Sequence, residues 1–361
     1  MPMPAEATTK DPTGTEEIVG PFADLIQRLG GDAWDIAAAN IPRDLHWQTV
    51  LLTATIAALI WMVRSGHGSK GADGRERRTG LVQFLLPRDI YTHMSARVDI
   101  WLWVIERVLR PFWAVALLAT VGPTTEQSVI GFLQWAFGAT PALQPNYGWM
   151  LLYSLVTLLC YDFAFFSIHY TMHRVPALWA IHKVHHTAEV LTPMTRTREH
   201  VLAGPIWAAG GALSFGVAAG LFAYLFDGGI TAATLFNVGF FSLLFGFNGS
   251  FRHYHVQFHY PVWLSKWLHS PVMHHIHHSY LPKHWDTNFA AVTSIWDRLF
   301  NTLYIPDKDE YTPWGIGPET QAQYRSSWQN LVGPFRDWYQ MLFGGKTPQA
   351  GPASAAEEAQ P

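Results

Sequence analysis

The sequence predicts an all-α, polytopic membrane protein with about four to five transmembrane helices. Only 14% of its 361 residues are Asp, Glu, Lys or Arg, while 49% are hydrophobic. A typical soluble protein carries roughly 25% charged residues, because charge covers its surface. The chain also holds 17 Trp and 13 Tyr, which favour the interface between a bilayer and water. Its apolar residues gather in runs about long enough to cross a membrane.

Composition divides the chain into three parts. Residues 1–46 are rich in Pro, Thr, Asp and Glu. They lack the basic stretch followed by an apolar stretch that is typical of a signal peptide, so no cleaved signal peptide is predicted there. Residues 47–310 hold the apolar runs and form the predicted membrane-embedded domain. Residues 311–361 become polar and end in an Ala-, Pro- and Glu-rich stretch, which predicts a partly disordered cytoplasmic tail.

Five apolar runs are candidate spans, and the first is just long enough to cross. The second contains Glu106, Arg107, Arg110 and Pro111, whose charges we expect to face the helix bundle or a headgroup layer. The last two are joined by a short Asp-Gly-Gly turn and predict a helical hairpin. Residues 123–147 contain three prolines and predict a segment lying in the interface. The candidate spans are residues 47–63, 100–121, 148–168, 201–226 and 230–247.

The distribution of Lys and Arg predicts how the chain is oriented. Residues 64–97 contain seven of these cations, whereas 123–147 and 227–229 contain none. Because cytoplasmic loops carry the excess of Lys and Arg, the N-terminus is predicted outside and the C-terminus inside. The histidine-rich stretches then lie on the cytoplasmic face. The Ala- and Gly-rich composition favours a bacterial inner membrane.

Charge and cysteine content exclude several functions. The net charge of −3 gives no basic field of the kind that binds nucleic acid. The single cysteine, Cys160, excludes an internal disulfide and a cysteine-based zinc or iron–sulfur site. Histidine is the unusual residue, since 15 of the 18 lie between His169 and His284.

These histidines are spaced so that several share one helix face. The first three strings are His169-x-x-x-His173, His182-x-x-His185-His186 and His274-x-x-His277-His278, and the fourth is His255-x-x-x-His259. Imidazoles three or four residues apart on a helix can bind one ion, and imidazole suits Fe, Zn, Cu and Ni. A lone pair of this kind arises often by chance, but four strings predict a site for two metals. The ten predicted ligands are His169, His173, His182, His185, His186, His255, His259, His274, His277 and His278.

Two of these ligands have a competitor, since His253 could replace His255 or His259 by a shift in register. Polar side chains near the strings are candidates to orient the imidazoles through their second ring nitrogen. Asp162 lies seven residues before His169, about two helical turns, and so on the same face. The candidates are Asp162, Glu199, Asp286, Asn288 and Asp297.

The order and spacing of these motifs resemble the fatty acid hydroxylase / sterol desaturase superfamily. The resemblance covers roughly residues 85–305. It is carried by Asp162, the first two histidine strings with Arg174 and Trp179 between them, Pro271 and the third string with Ser279, Asp286-x-Asn288-Phe289, and Trp296-Asp297-Arg298-Leu299-Phe300. The chain departs from the family pattern at Tyr170, where Arg is common, at Ala290, where Gly is common, and in the additional His275.

The resemblance implies a membrane-embedded catalytic domain at residues 47–310, with histidine boxes in 162–300 and a cytoplasmic helical cap. There the histidines would bind two iron ions and O₂ would be the co-substrate for hydroxylating or desaturating a lipid C–H bond. His200 falls where the family often has a histidine, and is expected beside the ligands. Because the chain has no motif for a fused electron carrier, an external ferredoxin, rubredoxin or cytochrome b5-type donor and its reductase are implied.

The sequence leaves several alternatives open. A histidine-rich membrane metal transporter or metal-binding protein is the competing class, although transporters place ligands near the bilayer midplane and these histidines follow helix ends. Hydroxylation and desaturation begin with the same hydrogen abstraction. A sterol, fatty acyl chain, ornithine-type lipid, carotenoid or alkyl ether would each fit an apolar cleft. The oligomeric state is open as well.

Overall fold

The structure is a computed structural model that describes residues 47–64, 69–70, 76–77, 80–226, 230–231, 234–235, 238–239, 249, 251–308 and 310–344. The predicted N-terminal segment 1–46 lies outside these residues, as does the last part of the predicted tail. Most of the predicted fifth span, residues 230–247, lies outside them too.

The described residues are mostly helical, as predicted, with two pairs of two-residue strands. The α-helices are α1 (Trp47–Arg64), α2 (Leu81–Leu85), α3 (Arg88–Tyr91), α4 (Met94–Leu109), α5 (Pro111–Phe137), α6 (Tyr147–Arg174), α7 (Pro176–His186), α8 (Ala203–Phe226), α9 (Val262–Ser265), α10 (Pro271–His277), α11 (Ile295–Leu299), α12 (Pro318–Gln321) and α13 (Ser327–Phe343). The strands β1 (Ser69–Lys70) and β2 (Glu76–Arg77) pair antiparallel, as do β3 (Thr234–Leu235) and β4 (Val238–Gly239). Single 3₁₀ turns lie at Pro193–Thr197 and Pro282–His284.

Two of the described helices, α6 and α8, are long and apolar enough to cross a membrane. They pack against each other, and α5 packs along the other side of α8. The predicted total of four to five spans is not confirmed by these two helices. Of the predicted fifth span, the residues given secondary structure form the β3–β4 pair.

The predicted span over residues 100–121 falls on two successive helices, joined by Arg110 in the right-handed helical region with φ of −53° and ψ of −44°. Helix α4 ends at Leu109, and α5 begins with Pro111 at its first position, where a proline costs no hydrogen bond. Helix α5 then runs to Phe137, through most of the predicted interfacial segment. Its internal Pro123 does not end it, because packing on α8 supports the helix.

Small residues let α5 and α8 approach closely. A Cβ atom on Gly216 would lie 2.6 Å from the Gly122 carbonyl oxygen, and one on Gly220 would lie 2.7 Å from the Glu126 carbonyl oxygen. The two α8 glycines are four residues apart and so share one face. This spacing of small residues is typical of helices that associate in membranes, where close backbone contact replaces hydrophobic burial.

Beyond one end of these helices lies a layer of shorter helices. Helix α6 ends at Arg174 and α7 begins at Pro176, because the residue before a proline is forced out of helical geometry. Helix α13 packs on α7. The buried Arg198 donates to the Asp99 carboxylate at 2.8 Å, and so ties the chain after α7 to α4. We call this layer the cap, and its predicted position on the cytoplasmic side stays a prediction.

Replacing Gly216 with leucine should separate α5 from α8. The new side chain has no room beside Gly122, so we expect the Gly216→Leu protein to lose about 1–3 kcal/mol of stability. The loss is measured by heating the protein in detergent and determining the fraction that stays folded by size-exclusion chromatography. Gly131→Leu on α5 is the matched control, because a Cβ there meets nothing within 4 Å. Equal unfolding temperatures for the two variants would contradict the packing.

Candidate metal centre

Nine buried histidines form two adjacent groups in the described part of the chain. In each group one ring nitrogen per residue lies within 4.8 Å of all the others. We call them the five-histidine group (His169, His173, His182, His186 and His277) and the four-histidine group (His185, His253, His274 and His278). Consecutive residues are divided between the groups, with His185 and His186 on opposite sides, and His277 and His278 likewise.

Three helices bring most of these residues together. The end of α6 carries His169 and His173, α7 carries the second string, and α10 carries the third. His278 directly follows α10. Because α6 continues six residues past the apolar run, the first string lies at the end of a candidate span. The helix ends therefore place all three strings in one layer.

Backbone carbonyls determine which ring nitrogen faces each group. His169 donates from Nδ1 to the Phe289 carbonyl at 2.8 Å, and His277 donates from Nδ1 to the Thr287 carbonyl at 2.7 Å. His185 donates in the same way to the Arg198 carbonyl at 3.2 Å. A neutral imidazole that donates from Nδ1 carries its lone pair on Nε2. This is the usual arrangement of a histidine that binds a metal through Nε2.

Several ring nitrogens of the two groups have no partner or face only one another in the described part of the chain. Within the described residues, Nε2 of His169, Nε2 of His277 and both ring nitrogens of His182 have no hydrogen-bond partner. Other ring nitrogens face one another, with Nε2 of His274 lying 2.9 Å from Nε2 of His253. A buried nitrogen without a partner costs free energy, and a metal cation satisfies several at once. The residues present therefore fit a metal in each group.

Burial keeps the imidazoles neutral. It lowers the pKa of His185 and of His277 to about 3, and it lowers the pKa of His182 and His274 well below the ordinary value. Neighbouring histidines lower the pKa of His182 further. Because a proton and a metal compete for the same lone pair, neutral rings bind metal without first losing a proton.

Asp162 and Asp297 act on the histidines through a loop. Asp162 accepts from the backbone N–H groups of Val292 at 2.8 Å and Thr293 at 2.9 Å, and also from that of Ala291. Asp297 accepts from the backbone N–H of Phe289 at 2.8 Å. Since the Phe289 carbonyl holds His169, both carboxylates support that imidazole without touching it.

Asp286 and Asn288 lie in the same loop, each in the left-handed region with φ of 54° and 59°. Asp286 lies 3.8 Å from Nδ1 of His173 and 3.3 Å from the Arg174 guanidinium. Asn288 donates to the Met273 carbonyl at 3.0 Å and so attaches the loop to α10. Of the two, only Asp286 approaches a grouped histidine directly.

Glu199 and His200 have different surroundings. A carboxylate oxygen of Glu199 lies 3.8 Å from Nδ1 of His185, and burial raises the pKa of Glu199 to about 8. Nε2 of His200 donates to the Leu331 carbonyl of α13 at 3.0 Å. His200 therefore connects two parts of the cap and belongs to neither histidine group.

Two of the ten predicted ligands lie outside both groups. Nε2 of His255 is 2.8 Å from the Phe84 carbonyl, and His259 is likewise absent from the groups. His253 lies in the four-histidine group instead, with Nε2 3.2 Å from Nε2 of His185. The cause is local backbone structure, because the chain leaves the helical conformation at His253 and helical spacing no longer applies.

Sequence reasoning missed two buried neighbours of the four-histidine group. Arg252 donates to Nδ1 of His274 at 2.9 Å, and burial lowers the pKa of its guanidinium to about 9. His269 is fully buried with its ring centroid 6.5 Å from that of His274. The signal for Arg252 was its place directly before His253. The extra His275 instead lies with Nε2 3.3 Å from the Phe251 carbonyl.

Apolar candidate spans that end at two buried histidine groups define a membrane protein with sites suited to metal. Residues 154–302 match the family model described as fatty acid hydroxylase. A relative from Xenopus tropicalis, described as alkylglycerol monooxygenase, is 27% identical over 157 residues, which are 43% of this chain and 31% of the relative. Residues 154–302 are therefore similar to the fatty acid hydroxylase family, in agreement with the resemblance described above. The chain matches about a third of the relative's length. No solved structure matches it.

Metal content should distinguish His253 from His255. The wild-type protein is expected to carry two metal ions per chain, one in each group. His253→Ala removes a nitrogen from the four-histidine group and should lower the content towards one. His255→Ala removes an imidazole outside both groups and should leave the content unchanged. Elemental analysis of the purified proteins measures this. A loss in His255→Ala with none in His253→Ala would contradict the grouping.

Acid should destabilise the protein through its buried histidines. Burial lowers the pKa of His275 in the folded chain to about 4, whereas the unfolded value is about 6.5. The unfolded chain therefore binds more protons below about pH 6.5, so stability is complete above that pH and is lost as the pH falls towards 4. The unfolding temperature should therefore fall as the pH is lowered from about 7 to about 5. His275→Gln should make this dependence shallower, and an unchanged slope would contradict the assignment.

Proposed function

We propose that the protein is a membrane-bound, O₂-dependent di-iron hydroxylase that acts on the alkyl chain of a lipid. The observation that carries this proposal is the pair of adjacent, buried, all-nitrogen groups inside the region that matches the fatty acid hydroxylase family. Iron bound in both groups would supply the activation of O₂ that no side chain provides. The balanced reaction is R–H + O₂ + 2 e⁻ + 2 H⁺ → R–OH + H₂O.

The residues of the chain prepare the site for this reaction. Carbonyls of Phe289, Thr287 and Arg198 hold the Nδ1 protons, which keeps the Nε2 lone pairs directed into the groups. The grouped histidines are at most 5% exposed, so bulk water is excluded from around them. Exclusion of water protects a strongly oxidising reaction from side reactions.

An apolar groove beside the five-histidine group is the proposed place for the alkyl chain. It has a volume of about 550 Å³ and lies between α5, α6 and α8. Ile168, which lines it, directly precedes His169. Trp207 of α8 directly follows the lining residue Ile206, and its ring lies 6.1 Å from that of His169 and 6.2 Å from that of His182. The lining residues are Val121, Ile168, Pro205, Ile206, Ala209, Gly210 and Leu213.

This lining favours an unbranched alkyl chain over a polar substrate, because none of its side chains offers a hydrogen bond. The relative's description names alkylglycerol, and we propose alkylglycerol lipids as the first substrates to test. Fatty acyl, sterol and ornithine-type lipids are the next substrates to test. We propose that the enzyme hydroxylates this alkyl chain. Desaturation of the same chain would show that this part of the proposal is wrong.

The reaction needs two electrons from outside the chain. We propose a separate ferredoxin, rubredoxin or cytochrome b5-type protein with its reductase as the donor. We propose a bacterial inner membrane on the Ala- and Gly-rich composition. We propose that the histidine groups lie on the cytoplasmic face, which the positions of Lys and Arg favour. On that face a soluble electron carrier has direct access.

Isotope transfer from O₂ provides the test. Iron-loaded protein in lipid nanodiscs, supplied with an alkylglycerol, a ferredoxin, its reductase and ¹⁸O₂, should release a product containing one ¹⁸O atom. His185→Ala and His277→Ala should lower this product by orders of magnitude, because each removes a group member. His67→Ala, outside every histidine string, should keep wild-type activity.

Mass spectrometry separates the alternatives. A product that has lost two hydrogens and gained no oxygen would show desaturation. Wild-type product formation in His185→Ala would show that the histidine groups are structural. Metal that crosses the membrane in vesicles, with no lipid product, would favour a transporter.

A further inference from the structure

Helix α13 is apolar on the outside and polar on the inside. The residues that it buries are polar or small. Its large apolar side chains are exposed instead, with Trp328 at 70%, Leu342 at 74% and Phe343 at 74% of full exposure. The buried residues are Asn330, Gly333, Pro334 and Asp337. A helix on the surface of a soluble protein has the opposite arrangement.

The exposed apolar residues form a single face. Successive members are seven, four, three and one positions apart along α13, which keeps them within one stripe of a helix with 3.6 residues per turn. We call Trp328, Phe335, Tyr339, Leu342 and Phe343 the aromatic face. Its rings support one another, since Tyr339 and Phe343 have centroids 5.1 Å apart.

Buried polar contacts hold α13 in this orientation. The Asp337 carboxylate accepts from the Lys183 ammonium of α7 at 2.5 Å and from the Tyr324 hydroxyl at 2.8 Å. Asn330 accepts from the Thr187 hydroxyl at 2.8 Å. Turning the aromatic face inward would leave the Lys183 charge buried without its partner, which is strongly unfavourable. The outward direction of the aromatic face is thus fixed by the polar side.

The aromatic face lies near the ends of the candidate spans. The indole N–H of Trp338 donates to the Ala177 carbonyl at 2.8 Å, just after α6 ends at Arg174. The Phe335 ring lies 5.6 Å from the ring of His200, which precedes the start of α8 by three residues. Both contacts place α13 where α6 and α8 would leave the hydrocarbon layer.

We propose that α13 lies in the membrane interface, with its aromatic face inserted among the lipid headgroups and the adjoining acyl carbons. Trp and Tyr prefer this depth because their rings are apolar and their N–H or O–H groups reach water. An amphipathic helix that carries such a face binds a bilayer surface. The contacts at Ala177 and His200 hold α13 beside the ends of α6 and α8, whose exposed apolar side chains would face lipid.

The position of α13 also determines how far the histidine groups lie from the bilayer. Lys183, which holds Asp337, lies in α7 between His182 and His185. Since α13 is joined to α7 by this ion pair, a lipid-embedded α13 keeps both groups at a constant depth beside the groove. The inference concerns membrane contact alone and does not depend on the reaction that the site performs.

Spin labelling tests the depth of α13. The full-length protein with Cys160→Ser receives single cysteines at Trp328→Cys and Leu342→Cys on the aromatic face, or at Gln340→Cys as the control. Gln340 is exposed on the same helix, outside the aromatic face. Each nitroxide-labelled protein is reconstituted in vesicles of phosphatidylcholine with a minor share of phosphatidylglycerol. Collision rates are then measured with O₂, which concentrates in the bilayer, and with a nickel chelate, which stays in water.

We expect the ratio of O₂ to nickel collisions to be several-fold higher at both aromatic-face positions than at Gln340. Equal ratios at all three positions would overturn the proposal. Dipolar broadening at Trp328→Cys that disappears on dilution with unlabelled protein would overturn it too, because a second copy would then cover the face. Elution volume and metal content equal to those of the Cys160→Ser parent establish that each labelled protein is folded.

Discussion

The burial of nine neutral imidazoles in one layer constrains the rest of the structure. Each ring has two nitrogens that lose water on burial, and an unpaired one costs about 1–3 kcal/mol. The protein satisfies one nitrogen of His169 and of His277 with a backbone carbonyl and leaves the other without a protein partner. A cation in each group would satisfy these nitrogens, so folding and metal binding are expected to be coupled. The helices, the loop and the cap can each be understood as means of holding these rings.

Helix α6 joins the membrane and the metal centre in a single element. Its apolar part supplies a candidate span, while Asp162 and the first histidine string lie on its last turns. Asp162 and Asp297 hold the loop that contains Phe289 by accepting hydrogen bonds from its backbone N–H groups. The Phe289 carbonyl in turn accepts from His169. The carboxylates thus set the direction of an imidazole through the backbone. Helix α13 completes the arrangement from the other side, through Lys183 of α7.

The sequence predicted the helical class and eight of the nine grouped histidines, because metal ligation on helices follows a fixed residue spacing. It failed at His253 for the same reason, since that residue lies where the chain leaves its helix and spacing carries no information. Hydropathy did not predict that α4 gives way to α5 at Pro111, because it measures composition and not geometry. Contacts between distant segments, such as Arg252 with His274 or Asp162 with Thr293, depend on the tertiary fold and leave no local pattern. Asp162 was nonetheless among the predicted polar neighbours, because it lies about two helical turns before His169.

The division of neighbouring residues between the two histidine groups limits how this chain can change in length. His185 and His186 belong to different groups, as do His277 and His278, so the separation of the groups is set by covalent geometry within the chain. One residue gained or lost inside either string would rotate the following imidazoles by about 100° around the helix and transfer them towards the wrong group. Homologous chains should therefore vary freely in the loops between the strings, while the strings themselves admit neither insertions nor deletions.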